Sequence, residues 1–378
     1  MKLFRVRAIA RKEFIHIVRD PRSLGMAIAV PMLLLSLFGF ALTMDVDKVP
    51  LAVWDQSGTP DSRELIAQFS GSRYFNIRVQ ARNYREVVRA IDSREALAAL
   101  IVPADFADRM GAGQVVPVQA IVDGSDANTA TIAMGYARVV TFAYSQQLAL
   151  REVQRVGGAA INLPVEVRPR VWYNGDMESK NYIIPGLIAV IMMVIAALLT
   201  SLTVAREWER GTMEQLISTP VRGPELILGK LLPYFAIGML DVLLAVLMGE
   251  FFFDVPLRGN VGLLFAVSAI FLSGALTLGM LISIVTKSQL LASQLAMVLT
   301  FLPAFLLSGF MYDIGNMPKF IQGITYLIPA RYFVALLKGI YLKGIGLEIL
   351  GMEALLLVVF GALVMVVANL KYRKKVTV

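Results

Sequence analysis

An α-helical integral membrane protein with six transmembrane helices, and an α/β domain inserted on the outer side between spans 1 and 2, is the fold class this sequence predicts. Three observations carry it. The 378 residues are 57% hydrophobic with a mean hydropathy of +0.66, too apolar for a water-soluble chain. Several apolar runs reach the ~20 residues that a helix needs to cross a hydrocarbon core. Basic residues also gather at the two ends. Residues 1–22 hold seven Lys/Arg against two acids and residues 371–375 hold four against none, whereas 45–181 is balanced at fifteen against sixteen.

A net charge of +8 could suggest nucleic acid, but its placement beside membrane spans follows the positive-inside rule instead. No nucleic-acid partner is expected, and both termini are expected in the cytoplasm. The chain has no cysteine and a single histidine, His16. Disulfide, thiolate and metal chemistry therefore have no ligand set to work with, and an intramembrane enzyme is the least supported class.

Residues 1–22 predict an amphipathic interfacial helix. On a helical wheel Leu3, Val6, Ala10, Phe14, Ile17 and Val18 share one arc, and Lys2, Arg5, Lys12, Glu13, His16 and Arg19 lie opposite. A cytosolic helix packed on a partner is the alternative reading. Pro21 breaks this helix before span 1, 23–43, which has no small-residue cleavage site and is read as a retained anchor.

Residues 44–181 predict a compact outer α/β domain. Strand-like "VPLAVWD", "YFNIRVQ", "AALIVP", "VVPVQAIVDG" and "VEVRPRVWY" alternate with helical "SRELIAQFS", "NYREVVRAIDSREAL" and a long helix capped at Ser125 or Asp126 and ended by Gly157–Gly158. Asp105 and Asp108, beside Arg109, read as a solvated face rather than a catalytic pair.

Span 2 is 182–204, followed by a cytoplasmic loop, 205–230. Spans 3, 4 and 5 are 231–253, 261–286 and 290–312. The outer loop 313–348 has apolar helical pieces broken by Pro318 and Pro329, and it carries Arg331 and Lys338, so a re-entrant pair of short helices is expected there. Span 6, 349–370, precedes the basic tail 371–378. Asp241, Glu250 and Glu353 are the polar candidates within spans. Asp241 leads them, because an intramembrane carboxylate is a functional candidate by default. It could centre a proton- or cation-coupled antiporter, or simply make an interhelical hydrogen bond.

The loop after span 2, "AREWERGTMEQLISTP", is unusually charged for its position. "AREWER" extends the span, with Trp208 at interfacial depth, and Gly211 separates it from a second helical piece. Thr212 and Gln215 have capping-box spacing, while Met213, Leu216 and Ile217 share a face. The expected product is a short capped helix that presents this apolar face and the acids Glu207, Glu209 and Glu214 to a partner. An ordinary connecting loop is the alternative.

This segment resembles the signature of bacterial ABC-2 type transporter permeases, in the multidrug-exporter branch. "NYIIPG", "LSGFMYDIGNMP" and "ITYLIPARYFV" agree with that family in order, and the likeness covers essentially the whole chain. The resemblance implies a multi-pass protein of the inner membrane, exporting a drug-like or lipid-like molecule. It implies that Glu207, Trp208, Glu209, Gly211, Thr212, Met213, Glu214, Leu216 and Ile217 form the segment that meets an ATPase. Implied partners are a nucleotide-binding subunit carrying ATP and Mg, a second permease copy in a homo- or heterodimer, a periplasmic adaptor and membrane lipids.

The chain lacks a motor of its own. Its nearest approach to a phosphate-binding loop, "GPELILGKLL", has one residue too many between Gly223 and Gly229 and puts Leu231 where Ser or Thr is needed. No enzyme activity and no bound cofactor are expected of this chain alone. A membrane sensor reading ligands through the outer domain is a third class, weakened by the absence of a cytosolic output domain.

Overall fold

The computed structural model describes residues 2–42, 48–155, 172–174, 178–219 and 221–372. The chain divides into two compact units, 45–169 and the remainder. It opens with α1 (Leu3–Arg19) and α2 (Pro21–Leu42). The smaller unit follows as β1 (Val49–Asp55), α3 (Pro60–Gly71), β2 (Phe75–Gln80), α4 (Tyr84–Asp92), β3 (Ala98–Val102), α5 (Phe106–Gly111), β4 (Gln119–Val122) and α6 (Ala127–Arg155). The larger unit resumes with α7 (Ser179–Glu209), α8 (Thr212–Ile217), α9 (Gly223–Phe251), α10 (Val261–Thr286) and α11 (Gln289–Leu307). It ends with α12 (Lys319–Thr325), α13 (Pro329–Lys338), a π-helical turn Gly339–Lys343 and α14 (Leu347–Lys371).

The smaller unit is a four-stranded sheet in the order β2-β1-β3-β4, with β1 parallel to β2 and β3, and β4 antiparallel to β3. Alternation along the strands sends Leu51, Val53, Leu100 and Val102 to one face, where Leu65 and Phe69 of α3, Phe106 of α5 and Tyr144 of α6 cover them. Ala52, Ala99 and Ile101 face α4 through Val87 and Ala90. Side-chain caps start the helices: the Thr59 hydroxyl accepts from Ser62 N–H (3.3 Å), Asn83 from Glu86 N–H (3.0 Å) and Asp126 from Thr129 N–H (3.3 Å). Burial pushes the Tyr144 hydroxyl up to about 12. Arg109 pairs with Asp105 at 3.5 Å on the surface. The expected Gly157–Gly158 helix stop and all but the end of the "VEVRPRVWY" strand lie outside the described residues.

Among the described residues of the larger unit five helices are long and apolar enough to cross a membrane: α7, α9, α10, α11 and α14. The number becomes six if α12 and the helix running on from Pro329 to Lys343, bent by 86°, count as one span. The span expected at 23–43 falls in α2, whose apolar stretch, Ala27–Leu42, is shorter than these five. Burial ranks the helices sharply. The apolar window of α7 is 83% buried against 22% for α11 and 17% for α14, so α7 is the axis of the bundle and the latter two lie on its outside. Polar side chains join α7 to α10. The Thr200 hydroxyl donates to Leu276 O (2.7 Å), and Ser283 Oγ accepts from the N–H groups of Val204 (3.0 Å) and Ala205 (2.9 Å).

Two boundaries differ from the sequence expectation for a physical reason. α9 starts at Gly223 rather than 231, because Glu225 caps it by accepting from Arg222 N–H (3.0 Å) and the added turns are covered by α1. α11 ends at Leu307 rather than 312, since the chain turns at Gly309 with φ +78°, a left-handed conformation natural to glycine.

Candidate functional site

The charged stretch after span 2 is helical almost throughout. α7 runs unbroken to Glu209, and the chain turns at Gly211, whose φ of +69° permits α8 to start in a new direction. The expected capping box at Thr212 does not form. Gly211 takes the cap position, so Thr212 is already helical and its hydroxyl donates to Glu207 O (3.4 Å). The apolar face of α8 also turns inward rather than outward: Met213 is buried in the main core and Leu216 packs half-buried beside it. Ile217 closes the helix.

The three acids separate instead of sharing one surface. Glu207 is buried, and its Oε1 accepts from Lys230 Nζ (2.9 Å) and Lys12 Nζ (3.0 Å). Lys230, only 1% exposed, also binds Glu13 Oε1 at 2.7 Å. Helices α1, α7 and α9 thus meet at an ionic knot in which Glu13, Glu207 and Lys230 are buried and Lys12 reaches in from the exposed side of α1. Glu209 is exposed and ties the end of α7 to α11, accepting from the Gln289 N–H (2.7 Å) and from its side-chain amide. Glu214 is exposed on α8. Trp208 is half-buried, with Lys287 Nζ 4.5 Å from its ring centroid.

α1 is clasped along its length. Glu225 accepts from Lys2 N–H (2.7 Å) and from Arg5 (3.4 Å), and the two helices approach so closely at Gly229 that a Cβ there would lie 2.8 Å from Ile9 Cβ. Glu13, expected on the solvent face of α1, is instead buried with Ile9, Ala10 and Ile17, where its carboxylate meets Lys230 of α9, while Lys12, His16 and Arg19 stay exposed. The outward apolar residues Leu3, Phe4 and Phe14 remain exposed. Tyr372, just past α14, is also near: burial and then the Glu207 charge push its hydroxyl up to about 12.

The other candidates scatter. Asp241 is fully buried in α9, and neither of its oxygens has a hydrogen-bond partner among the described residues. Glu250 is exposed near the end of α9. Glu353 lines a separate cavity of about 510 Å³ with Arg331 and Lys338. There Arg331 donates to the Thr325 hydroxyl and stacks over Tyr326 (3.9 Å), while Lys338 donates to Gly309 O (2.8 Å) and lies 3.4 Å from the centroid of Tyr182. Pro318 and Pro329 mark the starts of α12 and α13. Among the described residues no cluster of three or more His, Asp or Glu could hold a metal ion.

Sequence reasoning missed Lys12, Glu13 and Lys230. Their signal is faint: a lysine at the brink of an apolar run, and an acid in an otherwise basic helix.

Comparison with known proteins gives the family. Residues 21–370 match the ABC-2 family transporter protein model. The probable multidrug ABC transporter permease YbhS of Escherichia coli (strain K12) is 39% identical over 341 residues, 90% of this chain and 89% of the relative. Its counterpart YbhR is 30% identical over 372 residues, 98% of this chain and 99% of the relative. The inner membrane transport permease YhhJ of the same strain is 23% identical over 360 residues, 91% of this chain and 93% of the relative. A chain matched over nearly its whole length by permeases, with a bundle of membrane-length helices around α7, belongs to the ABC-2 family of transporter membrane proteins, as a multi-pass permease subunit.

Proposed function

We propose that this chain is the membrane-spanning half of an ATP-driven exporter in a bacterial inner membrane, moving hydrophobic or amphipathic small molecules outward. ATP and Mg are held by separate nucleotide-binding subunits, which grip the segment from Glu207 to Ile217. The observation that carries this reading is mechanical. A helix buried along most of its length continues without a break into the exposed Glu209, hinges at Gly211 and is fastened to α1 and α9 through Glu207. Force applied at α8 or Glu209 is thereby delivered to the axis of the bundle. Two permease copies enclose the conduit, both termini face the cytoplasm, the α/β unit lies outside, and an adaptor there receives the cargo.

The test is copurification from cells of the tagged chain with its soluble ATPase, against the double variant Glu209→Ala, Glu214→Ala. Both acids are exposed; Glu209→Ala gives up its hydrogen bonds to Gln289, and Glu214→Ala alone is the control for that loss. The ATPase is expected to accompany the parent chain, and the variant to lose it or to retain it without stimulated hydrolysis. Absence of any ATPase, with variant and parent alike, would reduce the segment to a connector.

A further inference from the structure

Two cavities meet where α1, α2, α7 and α9 converge. One, of about 320 Å³, is walled chiefly by apolar side chains, among them Val30, Leu199, Leu202 and Ile237. The other, of about 590 Å³, is walled by charged and polar ones, including Arg19, Arg206 and Arg210. His16, Arg206 and Tyr234 line both, so the two adjoin as the oily arm and the polar arm of one recess.

The charge of the polar arm is decisive. Glu13 and Glu207 are already matched by Lys12 and Lys230. Arg19, Arg206 and Arg210 remain, with only Asp20 beside them along the recess. Among the described residues no carboxylate pairs with any of these three arginines. Among the described residues Arg206 reaches His16 Nε2 and the Gln289 Oε1 amide oxygen, each at 3.4 Å. Guanidinium groups favour carboxylate and phosphate through paired N–H donors. Cavities of a few hundred Å³ with apolar walls and a few placed polar groups are the usual form of a small-molecule site.

We propose that this recess binds an anionic amphipath, its phosphate or carboxylate head on Arg206, Arg210 and Arg19 and its hydrocarbon tail between α2, α7 and α9. This goes beyond the exporter reading, because it assigns a binding site and a charge to its ligand whichever way cargo moves. The site lies against the ionic knot through Glu13, Glu207 and Lys230, which line the same polar arm.

The experiment uses the full chain in phosphatidylcholine nanodiscs, with native mass spectrometry counting bound dodecyl phosphate. The comparison probes are dodecylphosphocholine, with the same tail and no net charge, and inorganic phosphate, with no tail. Dodecyl phosphate is expected to bind saturably, with both comparison probes about tenfold weaker or worse. Arg206→Gln lowers its affinity about tenfold and Arg206→Lys restores part of it. Arg210→Gln, at an exposed position whose side chain makes no hydrogen bond or ion pair among the described residues, also weakens binding, and Leu199→Trp blocks the tail arm. Nanodiscs doped with phosphatidic acid identify the source: competition marks a membrane lipid as the occupant, and its absence marks a dissolved acidic amphipath. Equal binding of the two dodecyl probes, or unchanged affinity in both arginine variants, overturns the proposal. Neither result alters ATPase copurification, so this inference fails separately from the exporter reading.

Discussion

The two ends of α7 hold charge in opposite ways. Near Glu207, ammonium groups meet carboxylates directly: Glu13, Glu207 and Lys230 are buried and Lys12 is exposed, although Glu207 Oε2 has no hydrogen-bond partner among the described residues. Near Tyr182, Lys338 and Arg331 are satisfied by a carbonyl, a hydroxyl and aromatic faces, and Glu353 Oε2 has no partner among the described residues. A buried ion pair is costly to break, because each survivor is left as an uncompensated charge in a poor solvent. A cation on a ring and a carbonyl can leave at smaller cost. The first end is built to stay assembled, and the second to exchange partners.

The strongest challenge to that contrast is Lys230→Met. It strands Glu13 and leaves Glu207 only Lys12, and a loss of about 3–5 kcal/mol is expected, read as a fall in thermal midpoint in detergent. Adding Glu13→Gln and Glu207→Gln should return most of it. Continued full stability of the single variant would mean that the knot is wet and weak. Next comes Glu225→Ala, which frees the start of α1 from α9. Trypsin should then cut within residues 2–19 faster than in the parent, while the remaining bundle stays resistant. At the other end Lys338→Met should cost only about 1 kcal/mol; a loss equal to that of Lys230→Met would erase the distinction. The smallest effect is expected at Asp241→Asn. ATP-dependent export should persist unchanged, and its collapse would bring the carboxylate into the transport cycle.

The parts of the fold that were legible are those set by short-range pattern. "VPLAVWD" and "AALIVP" become β1 and β3, and Pro318 and Pro329 stand at the starts of α12 and α13, because alternation and missing N–H groups act within a few residues. The long-range pairing was not legible. Glu13 and Lys230 are 217 positions apart, and nothing local distinguishes an acid destined for the knot from one destined for solvent. The same blindness explains the acids of the charged segment from Glu207 to Glu214. Glu207 and Glu209 look equivalent in "AREWER", yet two residues on a helix lie about 200° apart, so one faces the core and the other faces α11. The inward turn of Met213 was hidden for another reason: it depends on the left-handed backbone at Gly211, which the Thr212 capping pattern obscured.

Tyr182 and Glu207 belong to one continuous helix and lie about 38 Å apart at 1.5 Å per residue. Thermodynamic linkage gives that continuity a strict consequence. If docking of an ATPase near Glu207 changes the affinity for a molecule held beside Tyr182 by some factor, that molecule changes the affinity for the ATPase by the same factor. The helix is then a two-way messenger, and a molecule arriving at the Tyr182 end would be legible to the ATPase as a change in its own grip.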